Sequence, residues 1–408
     1  MRRPLALAAV AAATVLAPPA ASLPAQAAPR PALTLGTIDS IYSPTLKEQR
    51  RILVYTPPSY SDTTYTPQRY PVLYLLDGDA HFHSVTGLFS ALSAGVNGTF
   101  VIPEMIVVAI PNTDRMRDLS PTRVTTDFEG KPSPSLATSG GMPQFLRFIR
   151  DELVPRIDAQ YRTAPYRVLV GHSLGGITAI NALYTMPEAF NAYVAIDPSL
   201  WWDNRVLLKQ ARGVVETRRL EGRTLVMAQA NTLQPDDTTD NAHYNAMLQF
   251  NSIMGRYNQS GLRYQYRLYP EDDHGSVPLI AEYDALRFIF AGYKADLIRA
   301  MASPAYVTEH FAAVSAQLGY TITPPEMVGD MLAMINRERD LPLALRHLRD
   351  NAARYPRSAH AAVALADALQ QSGDATGALA WYRKVLDLRP GDARAREMAA
   401  KLGGGGAR

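Results

Sequence analysis

Between about residues 40 and 290, short apolar and β-branched runs alternate with segments whose apolar residues recur every three or four positions. Arg51 to Tyr55, Val72 to Leu76, Met105 to Ile110, Tyr166 to Val170, Tyr193 to Ile196, Leu225 to Ala230 and Tyr264 to Leu268 read as strands. The unbroken run Met105 to Ile110 is of the kind buried on both faces of a parallel sheet. Met142, Phe145, Leu146, Ile149, Leu153 and Ile157 share one face of a helix whose last turn Pro155 should distort. Further helices are predicted from Ile177 to Leu183, from about Asn241 to Tyr257, and from Pro278 onward. Strands that alternate with helices predict an α/β fold with a mostly parallel central sheet.

After about Gly292 the strand pattern stops, and an Ala-, Leu- and Arg-rich region with helical periodicity follows. Pro356 and Pro390 stand 34 residues apart. The same offset maps Ala344 onto Ala378, Leu348 onto Tyr382 and Met331 onto Leu365, the small, aromatic and leucine positions of a tetratricopeptide helix pair. The large aromatic expected early in the first helix is replaced by Ala362. Two repeats are fewer than the three that stand alone, so this unit is expected to pack on the preceding domain or on a second copy, and to offer a surface for a protein partner.

At the other end, Met1-Arg2-Arg3, the apolar run Leu5 to Ala17 and Ala25-Gln26-Ala27 have the three-part form of a secretory signal peptide cleaved after Ala27. The run is shorter than the ~20 residues that span a bilayer. The expected organisation is a leader over 1–27, an α/β domain over 28–292, a helical linker over 293–325, helical repeats over 326–402 and a Gly-rich tail over 403–408. The product is expected to be exported, periplasmic or secreted, with no membrane span after the leader is removed.

Composition removes some functions. The net charge is +3, and loss of Arg2 and Arg3 with the leader leaves +1, which gives no basis for binding nucleic acid. With no cysteine, disulfides, a thiolate nucleophile and cysteine metal ligands are excluded. The eight histidines form no H-E-x-x-H pair, and His81-Phe82-His83 is a weak signal, so the reading is one without metal or cofactor.

Gly171-His172-Ser173-Leu174-Gly175 matches G-x-S-x-G in the right setting, with a buried strand before it and a helix after it. Such a turn needs glycine wherever a side chain would collide with strand or helix. A serine hydroxyl needs a base to take its proton. His274 follows the last strand, in a loop before a helix, which is the chain order of a serine-first triad. His243 is the competitor, but within a helix it reads as a surface or packing residue, and His172 reads as packing beneath the turn. The acid is less clear. It usually follows the seventh strand, here Leu225 to Ala230, and the loop beyond offers Asp236 and Asp237; Asp237 is the choice, while Asp240, Asp197 after the sixth strand, or no acid remain alternatives. Oxyanion donors should be the backbone N–H of Leu174 and that of Asp79, or of Gly78 beside it.

Together with Tyr74-Leu75-Leu76-Asp77-Gly78-Asp79, Asn112-Thr113-Asp114-Arg115, the helix from Phe145 to Tyr161, Pro198-Ser199-Leu200-Trp201-Trp202 and Asp273-His274-Gly275-Ser276-Val277, these residues resemble the Putative esterase family of α/β-hydrolases. That family includes esterase D, enterochelin-type siderophore esterases, feruloyl esterases and mycolyltransferases. The resemblance spans about residues 38 to 292, and the helical region resembles that of a bacterial subgroup with tetratricopeptide repeats. It implies an α/β-hydrolase fold, Ser173 as nucleophile, His274 as base, and Trp201 and Trp202 near the substrate pocket. The departure from the family is the missing carboxylate directly after the seventh strand. The expected activity is hydrolysis of a small-molecule carboxylic ester through an acyl-enzyme; alternatives are acyl transfer on the same residues and a non-catalytic scaffold built on the repeats.

Overall fold

All seven expected strands form, with one more that the apolar pattern did not mark. The structure, a computed structural model, describes residues 33–93, 99–126, 131–236 and 241–404. Its strands are β1 (Thr37–Ser43), β2 (Glu48–Tyr55), β3 (Tyr70–Leu76), β4 (Ile106–Ile110), β5 (Thr163–His172), β6 (Ala192–Ile196), β7 (Thr224–Ala230) and β8 (Arg263–Tyr269). They make one sheet in the order β1-β2-β4-β3-β5-β6-β7-β8. The β1/β2 and β2/β4 pairs are antiparallel and the rest are parallel. The extra strand, β1, is an edge strand that leaves Ile38 and Tyr42 exposed, so it lacks the run of apolar residues that marks the buried strands.

Alternate residues of each central strand serve opposite faces of the sheet. Val72, Tyr74 and Leu76 join a core with α3 (Met142–Phe148), α4 (Val154–Gln160), α5 (Leu174–Thr185), α6 (Trp202–Thr217) and α7 (Ala242–Tyr257). Leu73 and Leu75 join another with α1 (Gly78–Leu92) and α8 (Val277–Ile289). A short α2 (Arg115–Leu119) follows β4. Pro155 distorts its helix, but not in the last turn as expected: the helix that begins at Met142 widens to a π-turn over Ile149–Leu153, just before the proline, which has no N–H to offer that turn, and Val154–Gln160 is regular α-helix.

Beyond α8 the elements among the described residues are all helices: α9 (Leu297–Ala302), α10 (Pro304–Leu318), α11 (Glu326–Arg337), α12 (Leu341–Arg354), α13 (Ala359–Gln371), α14 (Ala375–Leu388) and α15 (Ala393–Gly404). The sequence offset survives in the helix bounds, since α12 ends at 354 and α14 at 388, and Ala344 and Ala378 are both fully buried. This region packs on the sheet domain. Val307, Phe311, Val314, Leu318 and Leu332 belong to the same core as β3, β5 and α8. Glu326 bridges the two, accepting from the Thr66 N–H at 2.8 Å and from the Ser358 hydroxyl at 2.5 Å. The expected leader, residues 1–27, lies outside the described residues.

Candidate active site

Three neighbouring strands end at one edge of the sheet, and each is followed by a residue with a left-handed backbone: Asp77 after β3 (φ 52°), Ser173 after β5 (φ 60°) and Asp197 after β6 (φ 41°). His172 and Ile196 are direct partners across β5 and β6, so Ser173 and Asp197 leave the sheet at the same level. Ser173 is strained, with ψ −116°, a conformation that costs a non-glycine residue about 1–3 kcal/mol. Glycine is needed around it: a Cβ on Gly171 would fall on the Gly175 carbonyl, and one on Gly176 would press on Pro198.

His274 stands in the loop between β8 and α8, which Asp273 braces by accepting the Gly275 and Ser276 N–H groups at 2.8 and 2.9 Å. Its Nδ1 lies 2.6 Å from Asp197 Oδ2. The other oxygen, Oδ1, accepts the Ala230 N–H at 2.8 Å. A second imidazole meets the same Oδ2: His243 Nε2, at 2.8 Å. Asp197 is fully buried, which pushes its pKa up, but the hydrogen bonds from His243, His274 and the Ala230 N–H outweigh burial and hold it well below the usual carboxylate range. His172 packs with its ring centre 4.4 Å from that of His274, and burial, followed by the charge of His274, pushes its pKa down to about 4. It is therefore neutral near pH 7 and unsuited to be the base, in line with the packing role expected for it.

Ser173, His274 and His243 line one open cavity of about 340 Å³, together with Ser199, whose hydroxyl lies 3.2 Å from that of Ser173. Asp237 lies outside the described residues, and Asp236 is exposed in its loop. The carboxylate in contact with His274 is Asp197, which the sequence pattern offers only as an alternative because it follows β6 and not β7, where the acid usually stands. His243, read from sequence as surface or packing, belongs to this cluster.

Leu174 opens α5 and Asp79 is the second residue of α1, so neither N–H has an acceptor within its own helix. In α1 the Ala80 and His81 N–H groups already donate to the Asp77 carbonyl. Asp77 is clamped by Arg115, at 2.7 and 3.0 Å, and by Asn112 at 2.7 Å; Arg115 also donates to the His172 carbonyl at 3.3 Å, which ties the β3 turn to the Ser173 turn. Nothing in the sequence pattern marks Asp77 and Arg115 as a pair, because they meet only through the pairing of β3 and β4. Trp201 lines the Ser173 cavity and also an adjoining one of about 490 Å³, whereas Trp202 is buried, donates to Thr122 Oγ1 at 3.1 Å and faces only the second.

Among the described residues, Asp197, His243 and His274 present three ligand atoms within 4.8 Å of one another and could hold a metal ion. Their hydrogen bonds are also those of a histidine fixed by a carboxylate. With Nδ1 committed to Asp197, His274 keeps Nε2 for proton transfer, which is the arrangement of a nucleophile–base–acid set.

The Putative esterase family model matches residues 43–266. The ferri-bacillibactin esterase BesA of Bacillus subtilis is 28% identical over 240 residues, 56% of this chain and 82% of that protein. The siderophore enterobactin esterase of Emericella nidulans is 34% identical over 160 residues, covering 34% of this chain and 50% of that protein. The crystal structure of an IroE-like serine hydrolase from Shewanella oneidensis superposes with a TM-score of 0.70 at 32% identity, over 78% of this chain and 99% of that one.

Proposed function

Because the chain belongs to the Putative esterase family and is a serine hydrolase acting on ester bonds, we propose that it cleaves the backbone esters of a siderophore, with Ser173, His274 and Asp197 as its machinery. The observation that carries the residue assignment is the bond between His274 Nδ1 and the buried Asp197 beside the strained Ser173. In this reading His274 Nε2 takes the Ser173 proton as Oγ attacks the ester carbonyl. The N–H groups of Leu174 and Asp79 receive the oxyanion. The proton then passes to the leaving alcohol, and His274 activates a water that releases the acid and frees Ser173. The substrate class rests on what the relatives are named for, and on a second cavity that shares Trp201 as a wall with the first, which offers room for a large ester.

We further propose that the protein acts outside the cytoplasm, on the strength of the three-part leader, and that the terminal helices are tetratricopeptide repeats. The test of the main reading is product analysis by mass spectrometry of a catecholate trilactone, iron-free and ferric, beside a series of simple acyl esters. Stepwise ring opening and hydrolysis at rates well above those of the simple esters, lost in Ser173→Ala, is the expected result. An intact trilactone alongside rapid turnover of short esters would reject the siderophore as substrate and keep the esterase.

A further inference from the structure

Asp197 accepts from two histidines on a single oxygen, although ester hydrolysis as proposed needs only one of them. The two are not equivalent. His274 spends Nδ1 on Asp197, and its side chain is nearly half exposed in the cavity, so Nε2 is left to work there. His243 spends Nε2, its far nitrogen, and its Nδ1 is buried with no hydrogen-bond partner among the described residues. The tautomer that donates from Nε2 leaves a bare lone pair at that buried position, which costs less than an unmet N–H would. His243 is therefore built as a fixed donor facing Asp197.

We propose that His243 is a positioning residue that acts through Asp197, sharing its Oδ2 with His274 and fixing the carboxylate against the catalytic imidazole. The inference rests on the reading of Ser173, His274 and Asp197 given above. Asp197 is held from three sides: β7 supplies the Ala230 N–H, the β8–α8 loop supplies His274, and α7 supplies His243. His243 is the second residue of α7, and the start of that helix is tied down by Asn241, whose side chain accepts the Gln234 N–H at 2.7 Å. Without His243 the carboxylate keeps one side-chain donor beside the Ala230 N–H, is less restrained about its last torsion, and concentrates its charge on His274.

That concentration has a sign. The ionisable groups around His274 are Asp197 from β6, His243 from α7, His172 at the end of β5 with His81 of α1 behind it, and Asp273 in its own loop; Asp77 with Arg115 lies beyond His172. Removing His243 takes one donor from Asp197 and leaves the others in place. The protonated form of the base is then better stabilised, so the acid limb of kcat/KM should move to higher pH.

The experiment is kinetics on a short-chain ester for the full chain and for His243→Leu, His243→Asn and His243→Gln, with Ser173→Ala and His274→Ala as controls. Leu has the volume of imidazole without the donor, Asn is too short to place its amide on Asp197, and Gln carries an N–H to about the position of Nε2. Leu and Asn are expected to lower kcat about tenfold with KM within about twofold, and to raise the acid limb by about half a pH unit. Gln is expected to restore kcat to within about twofold of the parent, with the limb back in place. Asn carries the comparison if Leu does not fold. Unchanged kcat in both Leu and Asn, a loss in either as deep as that in His274→Ala, or Gln behaving like them with an unmoved limb would each overturn the inference. If the Ser173 and His274 controls keep activity, the assignment of the machinery fails instead.

Discussion

The sheet domain and the terminal helices differ in how most of their helices begin. In the extension, α9, α10, α12, α13 and α14 start at Asp296, Ser303, Asp340, Ser358 and Asp374, each of which accepts an N–H of the first turn with its side chain, and α11, which follows Pro325, lacks such a cap. In the sheet domain, Asp114 caps the short α2, but α1 and α5 start at Asp77 and Ser173, neither of which caps its helix with its side chain. All the non-glycine residues with left-handed φ among the described residues lie before α7 begins, and after it the chain turns left-handed only at glycines. Among the described residues, left-handed strain at non-glycine positions is thus confined to the sheet domain, and uncapped helix starts are concentrated there. On the proposed reading the uncapped N–H groups at the starts of α1 and α5 receive the negative charge of the reacting ester, whereas capped ends serve stability.

The sharpest way to break that contrast is at Asp197. Asp197→Asn should keep the fold and lower kcat by about 10⁴, because the imidazole loses both its orientation and the charge that steadies its protonated form. Asp236→Asn and Asp237→Asn should stay within a few-fold of the parent. A collapse of kcat in Asp237→Asn with Asp197→Asn near normal would return the acid to the loop after β7.

A smaller effect should appear in acid. His172 is held neutral, its pKa pushed down from 6.5 to about 4, so its folded pKa lies below its unfolded one. The stabilisation is complete above pH 6.5 and drains away as pH falls toward 4, because the unfolded chain takes up the proton first; it amounts to about 3 kcal/mol over that window. Thermal midpoints between pH 7 and 4 should fall less steeply in His172→Asn than in the parent, and equal slopes would show that burial at this site does not control the titration. The extension should be insensitive to this change and sensitive to its own joint. Glu326→Ala removes the acceptor shared by Thr66 and Ser358, and should cost about 2 kcal/mol in chemical denaturation while leaving kcat/KM on a short ester within about twofold.

What could be read from sequence follows the same division. The central strands, Pro155, the turn at Ser173 and the 34-residue offset are local signals, set by residues near one another in the chain, and the structure carries each of them. Ser173 and His274, as members of the proposed machinery, are legible in the sequence through the turn motif and the chain order. Asp197 was not singled out, because the feature that distinguishes it from other loop aspartates, two histidines and a backbone N–H meeting one carboxylate, exists only after β6, β7, α7 and the β8–α8 loop have come together. His243 was hidden for the same reason: its place on a helix made the packing reading natural, while its contact lies across 46 residues of chain. Edge strand β1 was missed because half of it faces solvent.

The smallest predicted effect bears on the strain itself. At φ 60° and ψ −116°, Ser173 holds a conformation that glycine adopts without steric cost, so Ser173→Gly should relieve the strain that Ser173→Ala, which keeps its Cβ, retains. Against that gain stands the greater freedom of glycine in the unfolded chain, worth about 0.5–1 kcal/mol. The balance should favour Gly over Ala by about 1 kcal/mol, or roughly 2–4 °C in thermal midpoint, with both variants inactive. The same exchange in the extension should run the other way: Ala366→Gly, fully buried within α13, has no strain to relieve and should cost about 1 kcal/mol or more. If Ser173→Gly melts at or below Ser173→Ala, the left-handed turn is not a store of strain, and the contrast between the two regions rests on capping alone.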